Sequence, residues 1–424
     1  MDVLSSKSGR NEPTAEPAIA AATRATDRNA VKPSLRSRVA QPELKVTHVI
    51  TGLGQGGAEA MLLKLISATR GTRLRHAVVS LTDMGVFGHE LAAGGIAVTP
   101  LGMRPGVPSA TALVRLVSLL RSHRPDVVHS WMYHANLLAG LAAAAARVPV
   151  IWGIHHSDVD PRNTTWLTRL TRAACARLST VVPARIVCCA ESALHSHVGL
   201  GYSESRMLVI ANGFDATRFR ADRGERVEIR NELSIPDGAP VIGLVARFHP
   251  DKDHATFLNA ARLVTEARPE AVFLLVGDGI EWRNAAVSGA IDQLGLRRSV
   301  RLVGRRQDVP ALLSAMDVLT SSSRSEGFPQ VIGEAMLCGV PCAVTDCGDS
   351  REIVGSTGRI VPVRDARALA DAILDLLALA PGERAALGAA ARERIATRYD
   401  IGVVAARYAS LYGEVVASRG ARRC

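Results

Sequence analysis

Runs of branched apolar residues alternate with stretches of helical spacing from about residue 45 to residue 346. This rhythm constrains the chain more than any single motif. Lys45-Val-Thr-His-Val-Ile50 is followed by the helical set Met61, Leu62, Leu65 and Ile66, and then by His76-Ala-Val-Val-Ser-Leu81. Ile96–Thr99, Asp126–His129, Pro149–Ile154 and Arg185–Glu191 read as further strands, with helices over Ala110–Ser122 and Ala135–Ala146 between them. Continuous apolar strands joined by helices belong to a parallel sheet covered on both faces, and such sheets bind ligands beyond the carboxyl ends of their strands. Met207–Asp215 closes this series. A charged stretch with Gly and Pro, residues 216–238, reads as a linker. A second series begins at Pro240-Val-Ile-Gly-Leu-Val and continues through Ala271–Val276, Val300–Val303, Asp317–Thr320 and Pro341–Asp346. The sequence therefore predicts an α/β protein of two doubly wound domains, residues 45–215 and 239–400. Amphipathic helices are expected at 366–380, 384–397 and 402–417. Residues 1–44 are rich in Ala, Arg, Ser, Pro and Glu without periodicity, and read as a disordered tail.

Charge and cysteine usage narrow the function classes. Lys and Arg exceed Asp and Glu by 11, which suits nucleic acid, an anionic membrane or phosphorylated substrates. Aromatic residues make up only 4% of the chain, and no Lys/Arg block is interleaved with them. Nucleic acid is therefore not an expected partner. No apolar run approaches the ~18 residues that span a bilayer; Leu137–Ala146 ends at Arg147. A secretory h-region is absent from the first residues. The seven cysteines are an odd number for a disulfide framework and lack zinc-ligand spacing, so reduced, buried thiols in a cytoplasmic protein are expected.

The residues that carry chemistry cluster around strand ends. In Arg324-Ser-Glu326-Gly-Phe328-Pro329-Gln-Val-Ile332-Gly-Glu334-Ala-Met336-Leu-Cys-Gly339 a loop carboxylate, Glu326, precedes a helix that starts near Pro329 and stops at Gly339. Glu334 lies off the apolar face of that helix. The unpaired N–H groups at the helix start attract anions, so this segment offers a phosphate site flanked by two hydrogen-bond acceptors. Arg247 and Lys252, five residues apart after the strand from Pro240, can neutralise a diphosphate. Near the start of the chain, Thr51-Gly52-Leu53-Gly54-Gln55-Gly56-Gly57-Ala58-Glu59 links a strand to a helix. Its letters fit a dinucleotide fingerprint with Asp83 as the ribose acid, which keeps a nicotinamide oxidoreductase open as an alternative. His129, Trp131, His134, His155 and His156 are expected at or just after strand ends. Trp131, Tyr133 and Trp166 read as core residues, with stacking on a sugar or contact with lipid as the alternative.

Taken together these elements resemble the retaining glycosyltransferases of the GT-B fold, and family 4 of that class most closely. The Glu-x7-Glu pair with its Gly-Phe-Pro and Glu-Ala-Met, the Arg-x4-Lys element, the Gly-Gly-x-Glu loop, the Gly277-Asp-Gly279 turn and Ala211-Asn212-Gly213-Phe-Asp215 all occur in family order over residues 45–415. Ala211 and Ala246 stand where the family usually has Pro and Gly. The resemblance implies two Rossmann-like domains facing a central cleft, with a last helix in residues 401–424 crossing back to the first domain. It implies a UDP-sugar or GDP-sugar donor, with no cofactor or metal. By the same resemblance Arg247 and Lys252 hold the diphosphate, Glu334 the ribose, and Glu326 and His155 the transferred sugar. Backbone N–H contacts from the turn at Phe328-Pro329 and the approach of Gly57 complete the anion site, and the Gly304-Arg305 loop lies against the base. The expected acceptor is a glycan or lipid-linked hydroxyl in cell-surface polysaccharide or glycolipid synthesis, which could place the protein at the inner face of a membrane. A catalytically inactive sugar-nucleotide-binding protein is a second alternative, and an epimerase of the same fold a third.

Overall fold

The computed structural model describes residues 43–54, 56–104, 109–156 and 165–421. The expected tail, residues 1–44, lies outside these apart from its last two positions. Seven parallel strands form the first sheet: β1 (Leu44–Ile50), β2 (Leu74–Ser80), β3 (Ala97–Pro100), β4 (Val127–Trp131), β5 (Val150–Ile154), β6 (Arg185–Cys188) and β7 (Met207–Val209). Their order is β3-β2-β1-β4-β5-β6-β7. The interleaved helices are α1 (Gly57–Ala68), α2 (Gly85–Ala93), α3 (Ala110–His123), α4 (Tyr133–Ala146), α5 (Trp166–Leu178) and α6 (Glu191–Val198). β1 is buried at six of its seven positions, as a central parallel strand covered on both faces must be.

The second sheet has six parallel strands: β8 (Val241–Val245), β9 (Val272–Val276), β10 (Val300–Leu302), β11 (Val318–Ser321), β12 (Cys342–Thr345) and β13 (Arg359–Val361). Their order is β10-β9-β8-β11-β12-β13. Around it lie α7 (Arg223–Glu232), α8 (His254–Ala267), α9 (Ala285–Gln293), α10 (Val309–Ala315), α11 (Gln330–Leu337), α12 (Ser350–Val354), α13 (Ala366–Ala378) and α14 (Pro381–Arg398). The predicted pair of Rossmann-like domains is thus the observed architecture. The stretch 216–238 that reads as a linker carries α7, which packs on α10. Its composition hides this because Ile229 is the one buried residue of α7, and charge pairs supply the attachment. Arg226 donates to Asp317 Oδ1 (2.8 Å) and Arg230 to Asp317 Oδ2 (3.4 Å).

The final helix, α15 (Ile401–Ala421), packs on α1 and β4 of the first sheet. Tyr408 and Tyr412 are fully buried there. Phe214 N donates to Tyr399 O (2.8 Å) and Ile401 N to Phe214 O (2.9 Å), which ties the two crossings of the chain between sheets together. A second tie is a helix cap: both oxygens of Asp349, at the start of α12, accept from the first N–H groups of α6, Glu191 (2.9 Å) and Ser192 (3.0 Å). A carboxylate at a helix N-terminus satisfies orphan donors and complements the dipole.

Candidate active site

A cavity of about 490 Å³ opens between the two sheets. The first sheet contributes Gly56 and Gly57 after β1, His155 and His156 after β5, and Asn212 beyond β7. The second contributes Arg247, His249 and Lys252 after β8, and Glu326, Gly327, Phe328 and Gln330 after β11. All these loops follow the carboxyl ends of parallel strands, where backbone geometry leaves a crevice. Six of the expected site residues therefore come together: Gly57, His155, Arg247, Lys252, Glu326 and Phe328.

Lys252 and Glu326 form an ion pair, and Ser323 Oγ donates to the same carboxylate oxygen (2.7 Å). Their side chains are 23% and 14% exposed, so the pair sits at the cavity wall rather than in bulk solvent. The Glu326 loop is pinned by Gly348. This residue has φ +55°, and a Cβ there would lie 2.4 Å from Glu326 O and 2.7 Å from Gly327 O. Asp349 N donates to Gly327 O (3.0 Å) beside it. The Phe328 ring packs on Phe214 and Tyr399, each with ring centroids 5.7 Å away.

His155 is stacked on Trp131 with ring centroids 4.7 Å apart and planes 16° from parallel. Burial pulls its pKa down to about 4, with Asn212 nearby opposing the shift slightly, so the ring is neutral at pH 7. Neither ring nitrogen has a hydrogen-bond partner of good geometry, and Asn212 Oδ1 also lacks one. Buried polar atoms without partners carry a desolvation cost, and a bound polar ligand would remove it.

Other expected residues lie elsewhere. Pro329 is the N-cap of α11, with φ −72° and ψ 97°, rather than its first helical residue. Glu334, one turn beyond Gln330, does not line the cavity. Burial pushes its carboxyl up from the usual range, while Lys64 and then Arg218 pull it back. Lys64 reaches across from α1 and donates to Gln330 Oε1 (2.9 Å). Gly304 and Arg305 are also outside the cavity lining; Gly304 instead bonds the 277–280 turn, accepting from Gly277 N (2.8 Å) and donating to Ile280 O (2.9 Å). His129 corrects an expectation: it lies within β4, fully buried, with Nδ1 against Tyr412 Oη (2.8 Å). Trp131 ends β4 and Tyr133 opens α4, both in the core, whereas Trp166 is 73% exposed.

Sequence reading did not single out Lys64. It stands seven positions after Gly57 on α1, two helical turns along one face, and that periodicity was the available signal. Asp349 left no such signal, because its cap partners are 158 and 157 residues away. Among the described residues no group of three His, Cys, Asp or Glu side chains is placed to hold a metal ion. The six cysteines among them are free and buried.

Residues 55–218 match the family model Glycosyltransferase Family 4, and residues 239–379 match Glycosyl transferases group 1. The chain is 30% identical over 298 residues to 2-deoxystreptamine N-acetyl-D-glucosaminyltransferase of Streptomyces fradiae, covering 66% of this chain and 69% of that one. The chain belongs to glycosyltransferase family 4. Within this family it is also similar to UDP-Gal:alpha-D-GlcNAc-diphosphoundecaprenol alpha-1,3-galactosyltransferase of Escherichia coli, at 27% identity over 260 residues, 57% of this chain and 63% of that relative. Among solved structures, Anabaena HepE in complex with UDP superposes with a TM-score of 0.78 over 88% of this chain and all of that one, at 22% identity. The shared fold is GT-B. Membership of a glycosyltransferase family displaces the nicotinamide reading of the Gly52, Gly54 and Gly57 loop. Its acid, Asp83, lines a separate surface cavity with Thr82, His89 and Arg115, not the one that Gly57 lines.

Proposed function

We propose that the protein transfers a sugar, with retention of configuration, from a UDP-sugar or GDP-sugar to a hydroxyl of a lipid-linked or glycan acceptor. The observation that carries this reading is the meeting of Arg247, Lys252 and Glu326 of one lobe with Gly57 and His155 of the other around a single cavity. Two cations beside a glycine loop and a helix start suit a diphosphate. The neutral His155 and the Glu326 carboxylate suit sugar hydroxyls and the positive charge that develops at the anomeric carbon.

In this mechanism Lys252 exchanges Glu326 for diphosphate oxygens, which frees the carboxylate for the sugar. Glu334, buried behind Gln330 and outside the cavity lining, takes the ribose hydroxyls once Gln330 moves aside, in place of its electrostatic contact with Lys64. The anomeric C–O bond to phosphate breaks as the acceptor oxygen attacks on the same face. The acceptor proton passes to the leaving phosphate oxygen. Arg247, Lys252 and the start of α11 stabilise the charge that the leaving group gains, so no metal ion is needed. Closure of the lobes excludes water.

An acceptor with an apolar part has a place to lie. A second cavity, about 450 Å³, runs between α3 and α4 beyond β1 and β2, walled by Leu113, Leu137, Leu138 and Leu141, with Arg104 at its edge. The acceptor named for the Escherichia coli relative is a diphosphoundecaprenol. No helix among the described residues is long and apolar enough to cross a membrane, so such an acceptor would be met at a membrane surface.

The test is Glu326→Gln on the donor that a thermal-shift screen of nucleotide sugars selects. Turnover should fall by at least ~100-fold, the scale for loss of a preorganised electrostatic group, with nucleoside diphosphate affinity nearly unchanged by calorimetry. Wild-type turnover should survive chelator, and the product anomer should match the donor's. Undiminished turnover in Glu326→Gln would overturn the assignment.

A further inference from the structure

The ring that faces the cavity at His155 is backed by a hydrogen-bond chain that runs through the first sheet. Trp131, stacked on His155, donates its indole N–H to His48 Nδ1 (3.2 Å). An indole nitrogen can only donate, so His48 Nδ1 carries no proton and the neutral ring holds its proton on Nε2. That N–H meets His76 Nδ1 at 2.9 Å. His76 must then carry its own proton on Nε2, which meets Thr69 Oγ1 at 2.9 Å. The Thr69 hydroxyl donates to Leu65 O (2.7 Å). One donor, the indole, thus sets every tautomer down to a backbone carbonyl on α1.

Both histidines stay neutral because burial opposes charge: His48 lies well below its ordinary range and His76 is pulled to about 4. His48 is fully buried in β1, where an apolar side chain would avoid the cost of desolvating a polar one. The chain instead fixes the indole in its plane. Ring packing with His129 at 4.5 Å and 36° and with Tyr408 at 6.4 Å holds the indole faces, and the bond to His48 holds its polar edge. The His155 side of the arrangement is equally tight, since a Cβ on Gly153 would lie 3.3 Å from His155 Nε2 and 2.9 Å from Ser130 O.

We propose that His48 is a positioning residue: by accepting the Trp131 indole N–H it fixes the indole face on which His155 rests, and so aims the His155 ring into the sugar end of the cavity. The inference deepens the proposed function, since it rests on His155 contacting the transferred sugar. Its first part, the relay itself, is open to test without any donor.

The experiment is ring-nitrogen NMR on the free full-length protein with 15N-histidine. In the wild type, His48 and His76 should both appear as neutral Nε2–H tautomers at pH 7. His48→Leu removes the acceptor and should shift or double the His155 ring signals. His48→Asn keeps an acceptor oxygen near the Nδ1 position and should restore the single wild-type His155 signal. Where His48→Leu fails to fold, Trp131→Phe, which keeps a ring but loses the donor, takes its place and should likewise shift or double the His155 ring signals. A wild-type His48 with its proton on Nδ1, or His155 signals unmoved by both His48→Leu and Trp131→Phe, would overturn the relay. Full turnover in His155→Ala would instead remove the catalytic reading of His155 while leaving the NMR result standing.

Discussion

Glu326 and Glu334 stand eight positions apart and meet different surroundings. Glu326 shares one oxygen between Lys252 and Ser323 at the cavity wall. Glu334 is set deeper, where burial raises its pKa and Lys64 is the main group opposing that. The proposed roles differ accordingly. Ribose contacts are similar in the ground and transition states, so Glu334→Gln should raise the donor KM more than it lowers kcat. Steady-state kinetics beside Glu326→Gln checks this, and a fall in kcat alone would contradict it. Lys64 is itself held below its ordinary range by burial, with Glu334 the largest opposing influence, so the two side chains answer to each other as well as to the ligand.

Two glycines place the α11 segment, and they do it in different ways. Gly339 ends α11 with φ +72°, and the bonds Gly339 N to Met336 O (3.0 Å) and Val340 N to Ala335 O (3.0 Å) form a Schellman cap. Gly348 supports the loop that carries Glu326 by close approach as well as by positive φ. Each glycine replaced by Ala should cost on the order of 1 kcal/mol or more through backbone strain. Only Gly348→Ala should also lower turnover, because its Cβ would displace the Glu326–Gly327 backbone. At Gly339 the nearest atom to a Cβ is 4.0 Å away. Urea unfolding and donor kinetics on both variants separate stability from placement.

At the scale of the whole molecule the lobes are joined by apolar packing that includes Phe214 on Phe328 and by polar contacts such as the Asp349 cap. Removing the Asp349 cap leaves two α6 N–H groups to water, so Asp349→Ala should cost ~1–2 kcal/mol and let the cleft open. A larger radius of gyration by small-angle scattering is the expected readout, reversed when a tight-binding nucleotide sugar is added. Acid stability follows from the buried histidines. His76, His155, His197 and His254 are each pulled to about 4 by burial, and His48 and His129 lie well below their ordinary range. The unfolded chain therefore takes up protons below about pH 6.5 that the folded protein refuses, so their stability contribution is full above that pH and is lost as pH falls toward 4. Glu59 and Glu334, raised by burial, act with the opposite sign but are fewer. The sum should reach several kcal/mol in order of magnitude. The urea midpoint should change little between pH 7 and 8 and fall markedly at pH 5.

The α/β alternation, the parallel sheets and the loops bearing Arg247, Lys252, Glu326, Gly57 and His155 were legible because strand and helix periods, glycine turns and charge spacing are local properties. The helix α7 was not, since it is attached by Arg226 and Arg230 to a carboxylate about 90 positions away rather than by an apolar stripe. His129 looked like a strand-end residue because the Tyr412 hydroxyl that meets its Nδ1 in the core lies 283 positions along the chain. The seating of Glu334 against Lys64, the cap from Asp349 to α6 and the line from His48 through Trp131 to His155 all join residues that the chain separates widely. Sequence thus determined which elements form and which chemical groups their loops carry. Tertiary packing decided which of those groups share a cavity, which are desolvated, and which partner each one faces, because burial and hydrogen-bond pairing depend on distance in space rather than distance along the chain.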